Sequence, residues 1–334
     1  MRLHSRLIPA FLGTLFCTVL VAGTGHAQPA TASFPALPEW QAPLARAHSL
    51  TGRIVRLDDG ATIDPTTLVD ALAQSDFILL GEKHDNPDHH AIQAWVVRSL
   101  AQAGRRPGIA FEQLDSDQAP ALAQYLARPA ADADGLGQAV GWKTRGWPDW
   151  SMYAPIAAAA LGGGLPIVAA DLSKEAQRAI GRGIGLGAER HARLGLDVTF
   201  DAAQSASLSN ELEASHCGHL PASAIPRMMD VQRARDAHMA ATLVDVARLP
   251  GTDGAVLIAG TGHVRRDRGV PWHLTRLAPG RSVATLALVE VDPDRTAPAD
   301  YDPGPFDYVW FTPRMDDADP CAKFAEQLRR MHKR

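Results

Sequence analysis

Apolar and polar positions alternate in blocks along this chain. Short runs dominated by Val, Ile, Leu, Ala and Phe fall at residues 53–57, 76–81, 108–114, 165–172, 255–260, 282–291 and 308–311, bounded by Gly, Pro or Asp. Runs this short and this continuously apolar predict strands buried on both faces. Between them the apolar positions recur at helical spacing. In residues 88–103, Ile92, Val96 and Leu100 stand at i, i+4 and i+8 on one face. Asn86-Pro87 just ahead of them offers an N-cap followed by proline at the first helical position. Residues 117–128 and 153–161 read as further helices. No strand pattern occurs from 173 to 249, where 173–180, 208–215 and 222–249 look helical. The fold class predicted is α/β: a largely parallel central sheet flanked by helices, with a helical insertion or cap at about 173–249.

The N-terminus changes the expected location. Arg2 and Arg6 precede an apolar stretch over residues 7–22, and Gly25-His26-Ala27 closes it with small residues. This predicts a signal peptide over 1–27, cleaved before Gln28, and a periplasmic or outer-envelope-associated protein. An acylated Cys17 is the competing arrangement, but the bulky Phe16 stands where a lipoprotein signal wants a small residue. Residues 28–45, rich in Ala and Pro, read as a flexible lead-in, and 46–334 as one domain. Cleavage leaves Cys217 and Cys321, an even pair that in an exported protein favours one disulfide. A metal site of His216, Cys217 and His219 is the alternative. The chain of 334 residues is 46% hydrophobic, enough for a large core, and its net charge of −4 with no basic stripe argues against a nucleic-acid partner.

Two four-residue elements carry the densest chemistry. Gly81-Glu82-Lys83-His84 and Gly260-Thr261-Gly262-His263 each follow an apolar strand run. Ligands of open α/β sheets bind at the carboxyl ends of strands, so both histidines are expected at one edge. Glu82 and His84 alternate about Lys83 and point the same way in extended chain. Glu112 and Asp171 end two further strands. Glu112 reads either as a site carboxylate or as an arginine partner, and Asp171 either as a site residue or as a helix cap. Together His84, Glu112 and His263, with Glu82 or Asp171, suit a divalent metal that could activate water, with Glu82 as the base. Asp88 and His89 read as a polar helix start, and Arg235 and Asp236 as a surface pair. Trp142, Trp147, Trp150 and Tyr153, interspersed with Lys143 and Arg145, form an aromatic cluster. It reads as a core loop or as the wall of a flat apolar ligand.

The ordered motifs then resemble a known family. These are Gly81-Glu82-x-His84-Asp85-Asn86 with His89-His90 and Gln93, then Phe111-Glu112-Gln113, then Arg145-Gly146-Trp147. Gln232-x-x-Arg235-Asp236-x-x-Met239-Ala240 follows, then Gly262-His263 leading to Gly269-Val270-Pro271. Over roughly residues 48–290 this resembles the ChaN family of haem-binding, iron-uptake-associated envelope proteins in the Tiki superfamily. The resemblance implies a haem (iron) cofactor held in a pocket that can form between two subunits, hence a homodimer, and envelope uptake components as partners. It implies haem contacts from Tyr153, Trp147 and Trp150, with Lys83, Arg145 or Arg265 on the propionates. Tyr153 is the chosen iron ligand because it ends the aromatic cluster, with Tyr125, Tyr301 and Tyr308 left open. Some relatives in the wider superfamily are metal-dependent peptidases or esterases. That gives the alternative function: a hydrolase with a divalent metal on His84, Glu112 and His263.

Overall fold

The computed structural model describes residues 34–219, 221–301, 304–319 and 321–322. The expected signal peptide lies outside them. The strands are β1 (Ile54–Arg56), β2 (Thr62–Ile63), β3 (Phe77–Glu82), β4 (Pro107–Asp115), β5 (Ile167–Asp171), β6 (Gly254–Gly260), β7 (Val283–Glu290) and β8 (Tyr308–Thr312). They form one sheet in the order β2-β1-β8-β7-β3-β6-β4-β5. From β8 to β5 every pairing is parallel, and only β1 and β2 run antiparallel at the edge. The α/β class and its largely parallel sheet are therefore as expected.

The helices are α1 (Pro65–Ala73), α2 (Pro87–Gln102), α3 (Ala119–Leu126), α4 (Ala133–Ala139), α5 (Trp150–Gly162), α6 (Lys174–Gly181), α7 (Ala188–Arg193), α8 (Ala202–Ser215), α9 (Ile225–Val246) and α10 (Val270–Leu277). Strand side chains alternate between two cores because the pleat has a period of two. Ile78, Leu80, Ile109, Phe111, Val256, Ile258 and Leu286 face α1, α2 and α5. Phe77, Leu79, Ala110, Ala255, Leu257 and Ala287 face α9 and α10. Among the described residues no strand occurs between β5 and β6, as the sequence predicts. Within this expected insertion, α9 is a layer of the main fold. It covers the second face of the sheet, while α6 and α8 pack on it through separate small cores.

The expected lead-in over 28–45 needs correction from residue 34 onward, since the compact unit begins at Phe34. The buried Asp88 carboxylate accepts from the Gln41 (2.6 Å) and Ala42 (3.2 Å) N–H groups, and Trp95 Nε1 donates to the Pro35 carbonyl at 2.8 Å. Leu44 bridges to Arg314. Side-chain anchors of this kind leave no period-two or helical signature, so the segment reads as loop in sequence. Asn86 caps α2 by accepting from Asp88 N–H, with Pro87 following, as expected. Cys217 and Cys321 are joined in a disulfide, so the alternative metal site with His216 and His219 is not formed.

Candidate functional site

Register brings the chemistry to one edge. Glu82 lies opposite Gly260 in the β3–β6 pair, and β4 and β5 end beside them. The C-terminal ends of four neighbouring strands thus deliver Glu82 and His84, Glu112 and Gln113, Asp171, and the Thr261–Val264 turn that carries His263. The two glycines of the first motif positions are a matter of space. A Cβ on Gly81 would lie 2.5 Å from Val264 Cγ2 and 3.1 Å from Thr261 Cα, and one on Gly260 would lie 3.0 Å from the His84 ring. Gly81→Ala should therefore cost about 1–3 kcal/mol, the usual range for overpacking, as the turn bearing His263 is pushed off the strand. Urea unfolding measures this, and an unchanged midpoint would mean the turn yields freely.

One half of the site centres on Glu82, which is buried. Its Oε1 accepts from His84 Nδ1 (2.8 Å), Gln113 Nε2 (2.9 Å) and the Tyr153 hydroxyl (2.8 Å). Its Oε2 lies 3.1 Å from His90 Nδ1. Burial pushes this carboxyl up, but His90 and His84 outweigh burial and hold it well below the usual carboxylate range. The same contacts work in reverse on the histidines: burial lowers His84 and His90, and the adjacent Glu82 more than restores them, so both lie above the ordinary imidazole value. His84 alone of these is open, with its side chain 36% exposed. Trp147 packs edge-on against it at 4.9 Å between ring centres.

The other half centres on Glu112. Its Oε2 accepts from Gly260 N–H at 2.7 Å, and its Oε1 from Arg235 Nη2 at 2.7 Å, with His263 Nε2 at 3.1 Å. His263 Nδ1 meets Asp236 Oδ1 at 2.5 Å. An imidazole with a carboxylate on each nitrogen is held as imidazolium. Burial opposes this, but Glu112 and Asp236 prevail and push His263 up to about 10. Arg235 in turn clasps Asp171, with Nε 3.0 Å from each carboxylate oxygen. Arg235 and Asp236 are thus not the surface pair expected. They sit one turn from Gln232 on the inward face of α9, and that i, i+3, i+4 spacing was the available signal.

The pH dependence of stability follows. His263 is raised, so its contribution is complete below the unfolded value near 6.5 and declines as pH rises towards about 10. His89 is pushed down to about 3 by burial. It accepts from Lys83 N–H and contacts Thr312, so it is a structural residue. Its contribution is complete above about 6.5 and declines as pH falls towards 3. Stability should therefore peak near neutrality. Denaturant unfolding from pH 5 to pH 10 checks this. His263→Gln should flatten the alkaline limb, and an unaltered limb would reject the assignment.

The remaining expected residues divide. The expected divalent-metal set of His84, Glu112 and His263 reaches one edge but is corrected as a ligand cluster. Among the described residues no three metal-ligating side chains converge to hold an ion. The physical reason is that the Glu112 oxygens and both His263 nitrogens already have protein partners. Tyr153 is fully buried and donates its hydroxyl to Glu82. Burial and then Glu82 raise its ionisation, which disfavours a phenolate, so as an iron ligand Tyr153 is corrected to a residue that holds Glu82. Trp150 is half-buried, as Trp147 is, and packs against the core that holds α2 and α5. It meets Trp142 edge-on at 4.7 Å between ring centres and donates to the Ala133 carbonyl. Lys83 pairs with Glu290 (2.8 Å), Arg145 with Asp115 (2.9 Å) and Arg265 with Asp267 (2.8 Å).

A solved ChaN of Campylobacter jejuni, which binds haem cofacially, superposes with a TM-score of 0.61 at 20% identity, covering 77% of this chain and 95% of that one. The type III effector HopBA1 (TM-score 0.40, 12% identity, 83% and 98% coverage) and an erythromycin esterase in its open conformation (0.39, 12%, 70% and 77%) are more distant. No curated protein matches the sequence. The model of a family described as haem-binding uptake, Tiki superfamily, ChaN, matches residues 68–274, more than half of the chain. On that match, this chain belongs to the ChaN family of haem-binding uptake proteins in the Tiki superfamily.

Proposed function

We propose that this protein binds haem at the strand-end edge, with His84 as the iron ligand, and serves haem or iron uptake in the periplasm or outer envelope. The observation that carries the assignment of His84 is its open imidazole. The Nδ1–Glu82 bond orients the ring and leaves Nε2 as the coordinating atom. Bound there, haem would supply an iron that takes an imidazole nitrogen. Trp147 flanks the ring, and Lys83, 40% exposed and next in sequence, can exchange Glu290 for a propionate. Arg145 and Arg265 are the other cations available to propionates. A second copy of the chain closing over the haem is the homodimer this reading expects, and envelope uptake components are its onward partners.

Haemin titration of the chain from residue 28 tests the assignment. The expected result is a saturable Soret shift, lost in His84→Ala and kept in Tyr153→Phe. Glu82→Gln should weaken binding about 10–100-fold, as loss of a ligand's outer partner does. A shift that survives in His84→Ala moves the ligand elsewhere. Absence of any saturable shift rejects haem binding.

One observation favours a second reading as a hydrolase. A carboxylate-held imidazole at an open strand end is also a general-base arrangement. It predicts turnover of an ester or peptide panel that disappears in His84→Ala.

A further inference from the structure

The strand-end cluster contains a cation of its own. Arg235 projects from α9 with its side chain 16% exposed, between two carboxylates that are almost completely buried. Its Nη2 lies 2.7 Å from Glu112 Oε1 and 2.9 Å from Asp171 Oδ2, while its Nε lies 3.0 Å from each Asp171 oxygen. Around it every donor atom is committed. Glu112 Oε2 holds Gly260 N–H, and its Oε1 also meets His263. Asp171 Oδ1 takes Leu172 N–H at 2.8 Å and its Oδ2 takes the Gln177 amide at 3.2 Å. His263 Nδ1 is turned to Asp236.

Two acidic strand ends and a histidine are a donor set that suits a divalent ion in many proteins. Here the same oxygens close round a guanidinium, which is planar, permanently charged and forked to meet two carboxylates at once. An ion entering this position would have to take Glu112 and Asp171 from Arg235 and leave the displaced guanidinium beside a dication.

We infer that Arg235 is the resident cation of this site, standing where a divalent metal would, and that the native protein excludes such a metal from Glu112, Asp171 and His263. The inference is independent of the haem assignment. That rests on His84 and Glu82, with which Arg235 makes no hydrogen bond or ion pair among the described residues.

Calorimetric titration with zinc, and separately with manganese, decides it on chelator-treated protein at neutral pH. The native chain and Glu112→Gln should bind the same amount of metal, because any ion taken up sits elsewhere. Arg235→Lys keeps a cation in place and should behave as native. Arg235→Ala should gain one equivalent of zinc, and Arg235→Ala/Glu112→Gln should lose it again. A native chain that binds one equivalent abolished by Glu112→Gln overturns the inference. So does an Arg235→Ala variant with a native circular dichroism spectrum that gains no zinc. If Arg235→Ala does not fold, the comparison of the native chain with Glu112→Gln still decides whether the site admits a metal.

Discussion

Arg235→Met should cost about 3–5 kcal/mol of folding stability, the range for breaking a buried ion pair by removing one partner. Methionine fills much of the space of the arginine stem, so the loss is electrostatic rather than a cavity effect. Glu112 and Asp171 are 2% and 1% exposed; Asp171 would lose its guanidinium partner, and Glu112 would keep only His263 as a cation. Glu112 shows how the balance is set. Burial pushes its carboxyl up, while His263 and Arg235 together hold it well below the ordinary value. Without Arg235 that carboxyl accepts a proton more readily, so the deficit of the variant should shrink as pH falls from 7 to 5. Urea unfolding followed by circular dichroism at the two pH values measures both effects. A cost below about 1 kcal/mol, the level of an exposed pair, would show that water reaches the site and that the cluster is not a buried network. A double-mutant cycle with Glu112→Gln should give a coupling of roughly 0.5–3 kcal/mol, as for residues in one network.

Removing the disulfide should have an effect of similar size. Cys217 and Cys321 are 104 residues apart in sequence. Closing a loop of about 100 residues restricts the unfolded chain by roughly 4–5 kcal/mol in the chain-entropy model. The bond ties residue 321 to the connection between α8 and α9, and α9 is the helix that carries Gln232, Arg235 and Asp236. Reduction, or Cys217→Ser with Cys321→Ser, should lower Tm by roughly 10 °C. A thermal melt with and without reductant checks this. A Tm that does not move would mean that the bond does not restrict the unfolded chain as the chain-entropy model requires. Haem affinity should change little, because Glu82 ends β3 and His84 lies on the β3–α2 connection, both outside the loop that the disulfide closes.

Local pattern carries much of the architecture. The apolar run before each Gly-x-x-His motif is the centre of the sheet, since β3 and β6 are adjacent and wholly buried. Helix α2 starts where Asn86-Pro87 places it. Short elements such as α1, α4, α7 and α10 escape this reading, because a helix of two turns has too few apolar repeats to stand out from loop. The two-residue strand β2 has no period at all.

The site divides along the same line. By itself, the sequence determined that His84, Glu112, Asp171 and His263 arrive at strand ends, and that Glu82 and His84 share a side. These follow from strand period and from the rule that parallel strands present their C-terminal ends together. Only the tertiary structure decided which of them touch. Glu112 and Arg235 are separated by 123 residues and Glu82 and Tyr153 by 71. Whether a carboxylate meets an arginine, a histidine or an ion depends on how α9 and α5 are rotated against the sheet. That rotation is fixed by whole-face packing, so Met239, Ala240 and Leu243 turning into the core are what set the direction of Arg235. Tyr153 reads as a ligand contact in sequence because aromatic clustering looks the same in a wall and in a core. Burial separates the two, and burial belongs to the assembled layers rather than to any stretch of sequence.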